Sequence, residues 1–195
     1  MKKKATQERA KKTVQIVLEA ALQVLIEHGY EKAATNRIAE RSGFGVGTLY
    51  QYFEDKEDIY HELVNRELDR IVSILEQPDL QPTLEASLRR FLQGAIQTIK
   101  VYPHTFRAIE PLLAGPFKAN RAAARARAGA AMTRVLDHHR EEIAVDDLEA
   151  AGHFLIVIAE GIATCADPDI FSSTELEEQA LLMMLTALGK PSMGD

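Results

Sequence analysis

Apolar residues recur along this chain at the three- and four-residue spacing of helices. From Thr13 to His28 they form one stripe, and Gly29 follows where a left-handed C-terminal cap is expected. The same periodicity, punctuated by prolines and glycines, predicts about nine helices. The run from Phe154 to Ala159 is rich in β-forming residues, but it lies in a longer segment without turn signals, so a helix is favoured there over a buried strand. The fold class expected is all-α.

Two short helices and a long one are predicted after the first. Thr35 caps a helix of about two turns that stops at Gly43, and the string VGTLYQYF predicts a third helix. Asp55, with Asp58 three residues later, is the expected N-cap of a long fourth helix. Beyond a boundary at Pro78 to Pro82, five more helices are expected. Their ranges are 83–101, 104–113, 117–143, 147–166 and 174–188.

Composition narrows the class of protein. Hydrophobic residues make up 46% and charged residues 27% of the 195 residues, which is typical of a globular chain. Cys165 is the sole cysteine, so no disulfide forms within the chain, and no Cys/His spacing indicates a metal site. No apolar run approaches the roughly 20 residues that cross a bilayer. We therefore expect a cytoplasmic protein without membrane association, metal or cofactor.

Charge divides the chain unevenly. Residues 1–57 carry ten Lys/Arg and eight Asp/Glu, a net +2, whereas residues 58–195 carry 13 and 21, a net −8; the two sum to the −6 of the whole chain. The basic excess lies in residues 1–12, where six cations oppose Glu8. Such an arm can neutralise phosphates, and a solvated flexible tail is the alternative.

Residues 35–57 carry the most specific pattern. Two short helices joined by a glycine-bearing turn form a helix-turn-helix, whose second helix can reach base edges in the major groove. Ala39 is small where the helices cross, and Gly43 permits the chain reversal. Hydrogen-bonding and aromatic side chains crowd the second helix, and Lys56 follows at a helix N-terminus, where phosphate is favoured. The crowded side chains are Thr48, Tyr50, Gln51 and Tyr52.

At these residues the chain resembles the tetracycline-repressor-type (TetR) family of transcriptional regulators. The resemblance covers roughly the first 60 residues. It rests on Ala20-Ala21, Gly29-Tyr30, Thr35, Ile38-Ala39, Gly43, Gly47-Thr48-Leu49-Tyr50, Tyr52-Phe53 and Lys56-Glu57. The remaining all-α part agrees with the family in length and helix count, as expected of a diverged sensor domain.

The resemblance implies a role for each matching position. Thr35 would cap its helix and meet a phosphate, with Asn36 and Arg37 at the entrance to the groove. The tip of the recognition helix would be Val46, Gly47 and Thr48. Tyr50 and Tyr52 would contact backbone and base edges, and Lys56 would clamp phosphate. Gly45 stands where members commonly have a capping serine, and Val46 where a polar residue is frequent, so base readout there would use apolar contacts such as a thymine methyl. Leu49 and Phe53 are assigned to the small N-terminal core.

Within the last two predicted helices, Phe154 to Ala159 is apolar on all sides and the run ALLMMLTAL is almost so, which means that protein must cover these segments on every side. The resemblance implies that they pair with their copies in a dimer, and burial in the protomer's own centre is the alternative. A two-fold dimer suits a pseudo-palindromic operator. The predicted interface residues are Phe154, Ile158, Gly161, Leu181, Met184 and Leu185.

The second domain also offers residues for an effector pocket. Aromatic and methionine side chains at helical spacing are more often plain core, so the alternative to a pocket wall is packing. The candidates are Phe91, Phe106, Glu110, Phe117, Met132 and Glu160. Few of these carry charge, so the expected effector is a mainly apolar small molecule.

The whole pattern predicts three regions. These are a basic flexible arm at 1–12, a DNA-binding domain at 13–57 joined to a connecting helix at 55–77, and an effector-binding and dimerisation domain at 78–195. Together they predict a repressor that binds a double-stranded operator as a homodimer and is released by a small molecule. The alternatives are a dimeric helical interaction protein or an enzyme without DNA binding, but no phosphate-binding glycine loop, GxSxG or HExxH motif supports catalysis.

Overall fold

The structure, a computed structural model, describes residues 2–76, 80–101, 103–164 and 174–189. Within these ranges it contains nine α-helices, one short 3₁₀ helix and no strand, which confirms the all-α prediction. The α-helices are α1 Lys2–Lys32, α2 Thr35–Ser42, α3 Val46–Leu49, α4 Lys56–Glu76, α5 Leu84–Val101, α6 Pro103–Ala114, α7 Lys118–His138, α8 Leu148–Thr164 and α9 Thr174–Ala187. Pro78 and Cys165 lie outside the described residues.

Helices α1 and α7 differ most clearly from their predicted bounds. Helix α1 begins at Lys2, so the segment expected to be a flexible arm continues the first helix. Gly29, with φ 70° and ψ 165°, interrupts that helix near its end. Helix α7 ends at His138 instead of continuing to residue 143, because residues 140–142 tighten into the 3₁₀ helix. In that turn the Glu142 amide donates to the His139 carbonyl at 2.9 Å.

The chain divides into two compact units. Unit 1 comprises Met1–Glu67 and His104–Asn120, and unit 2 comprises Leu68–Pro103 and Arg121–Asp195. The buried residues of unit 1 come from α1, α4 and the two short helices between them in sequence. Its fully buried members include Val17, Ala21, Ile38, Leu49, Ile59, Tyr60 and Leu63. Segment 104–120 therefore belongs to the same unit as the helix-turn-helix, although about 50 residues separate them along the chain.

Unit 2 has one core, built from α5, α7, α8 and α9. Its buried members include Leu84, Leu88, Leu92, Met132, Leu136, Leu155, Leu181, Met184 and Leu188. Helices α7 and α8 approach closely at Gly152, where an added Cβ would lie 2.7 Å from the Thr133 hydroxyl and 3.0 Å from the Gly129 carbonyl oxygen. Glycine is needed there because any side chain would push the helices apart.

Candidate nucleic-acid interface

Gly43 makes the turn between α2 and α3 possible because it adopts a left-handed backbone conformation. Its φ of 74° and ψ of 12° are left-handed, as the sequence predicts. The Gly43 amide donates to the Glu40 carbonyl at 3.3 Å, and the Phe44 amide donates to the Ala39 carbonyl at 3.2 Å. This pair of bonds is a Schellman motif, which satisfies the last carbonyls of α2 and turns the chain toward α3.

Helix α3 is shorter than predicted, but the chain continues to turn beyond it. The regular helix ends at Leu49, and the Phe53 amide still donates to the Leu49 carbonyl at 3.0 Å. Leu49 and Phe53 are buried, as predicted, and anchor the segment to the core of unit 1. Tyr50 and Tyr52 are 54% and 37% exposed. The packing thus leaves two amphipathic rings on the surface of residues 46–53, which we call the recognition segment.

The start of α2 differs from the prediction. Ala34 is the N-cap, and no side chain caps the helix; Thr35 is the first helical residue. The amides of Arg37 and Ile38 donate to the Ala34 carbonyl at 3.0 and 3.2 Å. The capping role expected of Thr35 is therefore wrong, because the backbone takes the N-cap conformation one residue earlier.

The other predicted DNA-binding residues lie in the same helix-turn-helix. Asn36, Arg37 and Gly47 are exposed, whereas Thr35, Val46, Thr48 and Lys56 are half-buried. An added Cβ at Gly47 would meet nothing within 4 Å, so the recognition helix has an open side at this point. Their contacts with DNA stay a prediction.

The beginning of α4 is fixed as the sequence predicts. The Asp55 carboxylate accepts from the Asp58 amide at 2.8 Å, and the Asp58 carboxylate accepts from the Glu54 amide at 3.0 Å. The first bond is the N-cap bond of a capping box, and the second reaches the amide one residue before the N-cap. These bonds fix the backbone between the end of the recognition segment and Lys56, the first residue of α4.

Lys56 has a contact that sequence reasoning missed. Its ammonium donates to the Tyr30 carbonyl oxygen at 2.7 Å and lies 4.1 Å from the centroid of the Tyr30 ring. One of the three N–H donors is used, so two remain for a phosphate oxygen. Gly29-Tyr30 is among the residues that resemble the TetR family, but that resemblance does not predict a contact between Tyr30 and Lys56.

Ion pairs join α1 to α2 beside the interface. Arg41 makes two hydrogen bonds to the Glu27 carboxylate, at 2.7 and 2.5 Å, and one to Gln23 at 3.3 Å. The hydrogen bond from Arg41 lowers the pKa of Glu27. Arg37 lies 3.5 Å from the His28 ring nitrogen. These bonds orient α2 on α1 and restrict the guanidinium of Arg41.

The predicted effector residues are divided between the units. Phe106, Glu110 and Phe117 lie in unit 1, and Phe91, Met132 and Glu160 lie in unit 2. Phe117 packs against Tyr30 and His61, and Met132 is buried in the core of unit 2. The Glu160 carboxylate pairs with Arg121 at 2.6 Å and with Arg125. The structure thus assigns packing or pairing to at least three of the six.

The predicted dimer residues also separate into two sets. Leu181 and Met184 lie in the protomer's own core, and Ile158 and Leu185 are partly buried against it. The apolar residues that α8 and α9 leave on the surface include Phe154, Val157, Leu182 and Met183, each at least half exposed. Gly161 is exposed, and an added Cβ there would meet nothing within 4 Å. We call these five residues the α8–α9 apolar face.

One buried cluster resembles catalytic machinery in its order of groups. The Ser87 hydroxyl lies 2.9 Å from His139 Nε2, and His139 Nδ1 lies 3.0 Å from the Glu142 carboxylate. Ser87 is only 5% exposed, and its oxygen accepts from the Gln81 amide at 3.0 Å. The chain of bonds therefore joins the start of α5 to the end of α7 in the interior.

The described residues contain no group of three or more His, Cys, Asp or Glu side chains that could hold a metal ion.

No helix among the described residues has the length and hydropathy that a membrane span requires.

Unit 1 holds two short helices joined by the turn at Gly43, and Tyr50 and Tyr52 are exposed just beyond the second helix. This arrangement defines a helix-turn-helix protein. Residues 17–63 match the family model of bacterial regulatory proteins of the tetR family. The resemblance seen in the sequence is thereby confirmed for these residues, which include the helix-turn-helix.

Known relatives match in two ways. An HTH-type transcriptional regulator of Staphylococcus aureus (strain USA300) is 38% identical over 68 residues, which are 35% of this chain and 37% of that protein. The match thus spans little more than a third of the relative. SmeT, the repressor of a Stenotrophomonas maltophilia multidrug efflux pump, is 21% identical over 89% of each chain, with a TM-score of 0.71.

A further structural relative is FadR from Bacillus subtilis, solved in complex with stearoyl-CoA. It is 17% identical to this chain, with a TM-score of 0.73, and the likeness covers 89% of this chain and 98% of FadR. At this identity the two structural matches show a shared fold. They extend the likeness beyond the helix-turn-helix to most of the described helices.

Proposed function

We propose that this protein is a transcriptional regulator that binds duplex DNA in a sequence-specific manner through residues 35–56. The observation that supports this most directly is the exposure of Tyr50 and Tyr52 on a segment anchored by buried Leu49 and Phe53. A tyrosine ring can pack on sugar or base edges while its hydroxyl bonds a phosphate or a base. A segment that served only for packing would have no reason to leave both rings in water.

Charge supports the same partner. The chain carries a net charge of −6, yet its first 57 residues carry +2. Because DNA responds to the potential of the contacting surface, an acidic protein with a basic N-terminal region binds in one orientation. Lys56, with two N–H donors remaining, is the proposed phosphate contact, and Thr48 and Tyr52 are the proposed base readers.

A genome-wide selection of binding sites with the purified protein tests this proposal and gives the operator sequence. Lys56→Ala should then weaken binding on all sequences and reduce the slope of log K against log salt by about one unit for each protomer. A protein that enriches no DNA sequence would overturn the proposal and favour a helical interaction protein. Unchanged affinity and slope in Lys56→Ala would remove Lys56 from the interface.

The proposed assembly is a homodimer through the α8–α9 apolar face. Phe154, Val157 and Gly161 lie at helical spacings of three and four residues, so they form one stripe along α8. A contiguous apolar surface of this kind is typical of an association site. A second copy is the occupant proposed, because a two-fold dimer presents two equal recognition helices to a pseudo-palindromic operator.

The proposed effector is a mainly apolar small molecule that releases the operator. The proposal is supported by the apolar composition of unit 2 and by FadR, a relative in fold that was solved with stearoyl-CoA. An effector shifts the equilibrium only if it binds the two states of the protein unequally. Coupling of about 1 to 3 kcal/mol, or 5- to 150-fold in affinity, is typical. Small molecules that raise the melting temperature should bind more weakly when operator is present, and equal affinity in both titrations would exclude a hit as inducer.

A further inference from the structure

Lys56 is held by two contacts with one residue, Tyr30. The carbonyl oxygen of Tyr30 accepts from the ammonium at 2.7 Å, and the ring lies under the same ammonium at 4.1 Å. A free lysine samples many rotamers on its four-carbon chain, so each contact reduces the conformations that are accessible before DNA arrives. Tyr30 therefore restricts where the positive charge lies on the proposed DNA-binding surface.

Tyr30 is itself fixed by aromatic neighbours. Its ring meets the Tyr60 ring edge-on at 5.2 Å and the Phe117 ring edge-on at 6.1 Å. Tyr60 is fully buried, and its hydroxyl donates to the Ala21 carbonyl at 3.3 Å. Burial, with the neighbouring Glu57 carboxylate, raises the pKa of Tyr30, so the phenol stays neutral beside Lys56 at physiological pH. Two of the three rings come from α1 and α4, and the third comes from the turn after α6.

Phe117 brings that turn into unit 1. It is buried, its amide donates to the Leu112 carbonyl at 2.9 Å, and its ring also packs on His61 at 6.1 Å. Three residues later Asn120 donates to the Asn65 side chain at 2.6 Å, which ties the start of α7 to α4. The turn between α6 and α7 is thus attached to the start and the middle of the same helix that carries Lys56.

We propose that Tyr30 is a positioning residue for the phosphate contact of Lys56, and that Phe117 makes this position depend on the turn between α6 and α7. The proposal rests on the DNA-binding function proposed above and deepens it. A shift of the turn moves the Phe117 ring, which releases the edge of Tyr30 and with it the ammonium of Lys56. The DNA-binding surface thereby responds to a segment about 60 residues away in sequence.

The test measures the salt dependence of binding to duplex DNA for Tyr30→Leu, Phe117→Leu and Tyr30→Phe. Tyr30→Leu removes the ring but keeps the carbonyl, and Phe117→Leu removes the ring edge but keeps an apolar side chain. Both should weaken binding and lower the salt slope toward that of Lys56→Ala, which is about one unit per protomer below wild type. Tyr30→Phe keeps the ring and the carbonyl and should match wild type.

Two controls separate positioning from loss of stability. Leu92→Val removes a methylene from the core of unit 2 and should lower the melting temperature without changing the slope. In the Lys56→Ala background, Phe117→Leu should weaken binding no further, because its effect passes through Lys56. The proposal would be overturned if Phe117→Leu weakened DNA binding as much in the Lys56→Ala background as in wild type. It would also be overturned if Tyr30→Leu kept the salt slope of wild type.

An NMR measurement without DNA keeps the two proposals distinguishable. The ring of Tyr30 should shift the Lys56 side-chain protons upfield, and this shift should disappear in Tyr30→Leu and decrease in Phe117→Leu. If the shifts behave so but wild type binds no duplex, the DNA-binding function fails and the phosphate role of Lys56 fails with it. If wild type binds DNA but the Phe117→Leu spectrum keeps the full shift, DNA binding stands and the link through Phe117 is overturned.

Discussion

The recognition segment and the α8–α9 apolar face both expose large side chains, but their chemistry differs. The recognition segment exposes Tyr50 and Tyr52, whose rings end in a hydroxyl. The apolar face exposes side chains without any polar end, such as Val157 and Leu182. A tyrosine suits a partner that is partly polar, such as a nucleic-acid groove, whereas a bare aliphatic side chain suits another protein surface. This difference supports the two proposed partners, duplex DNA for the recognition segment and a second copy for the apolar face.

The largest expected effect is on assembly. Val157→Glu places an unpaired carboxylate in the proposed interface, which is costly because burial removes its hydration. We expect the dimer to weaken by about 3 kcal/mol or more, roughly a hundredfold in its dissociation constant. Sedimentation velocity at micromolar concentration measures this directly. Val157→Leu keeps the surface apolar and should stay dimeric.

Val157 is a better position for this test than Ile158, which the sequence alone predicts to lie in the interface. A charge at Ile158 would also enter the protomer's own core, so dissociation and unfolding would be confused. A stable wild-type monomer would contradict the dimer. It would also contradict the spacing expected between the two recognition helices on DNA, which is about 34 to 36 Å, one turn of the duplex.

Base reading should have the next largest effect. Thr48→Ala and Tyr52→Ala each remove contacts proposed for base edges, so each should cost about 1 to 3 kcal/mol on the selected operator and less on random DNA. Fluorescence polarisation with both duplexes gives the difference. Leu182→Ala, which changes the apolar face instead, should not alter the ratio between the two duplexes. Equal losses on both duplexes would assign Thr48 and Tyr52 to positioning.

What the sequence could predict depends on the range of the interaction. The left-handed Gly43 and the cap formed by Asp55 and Asp58 are local, so residue type and spacing were sufficient to predict both. The contact of Lys56 with Tyr30 joins residues 26 positions apart, and no local pattern indicates it. Periodicity failed in α9 for a different reason. From Ala180 onward the helix is apolar on nearly all sides, so its sequence cannot show that Leu181 faces the protomer's own core.

The turn of the helix-turn-helix offers a smaller and purely conformational test. Gly43 has a φ of 74°, and an added Cβ would meet nothing within 4 Å, so Gly43→Ala is penalised by the backbone alone. The expected cost is about 1 to 2 kcal/mol in the free energy of unfolding. Gly47→Ala lies inside α3 with an equally open side, and it should stabilise by about 0.5 to 1 kcal/mol. Denaturant unfolding measures both, and the same sign for the two variants would contradict this account.

The smallest expected effect compares one exposed ion pair from each unit. Arg41 bonds Glu27 in unit 1, and Arg89 bonds Glu178 in unit 2. In each pair the hydrogen bond from the arginine lowers the pKa of the carboxyl group below its ordinary value of 4.5. Stability from a lowered pKa is complete well above 4.5 and is lost as the pH falls through the folded-state pKa. Glu27→Gln and Glu178→Gln should therefore lower the melting temperature slightly at pH 7, and their differences from wild type should diminish as the pH falls below 4.5.

The two variants should differ in DNA binding although they resemble each other in stability. Glu27→Gln removes a negative charge beside the proposed interface and frees the guanidinium of Arg41, so binding to random duplex at low salt should become tighter. Glu178→Gln removes the same charge from unit 2, outside the helix-turn-helix, and should bind as wild type does. Because added salt screens such exposed charges, the advantage of Glu27→Gln should diminish from 50 to 200 mM salt. Over this range a protein that makes about 6 to 10 phosphate contacts loses about 10³- to 10⁵-fold in affinity for DNA. Equal tightening by both variants would mean that net charge, and not the location of Glu27 beside the recognition segment, governs the attraction.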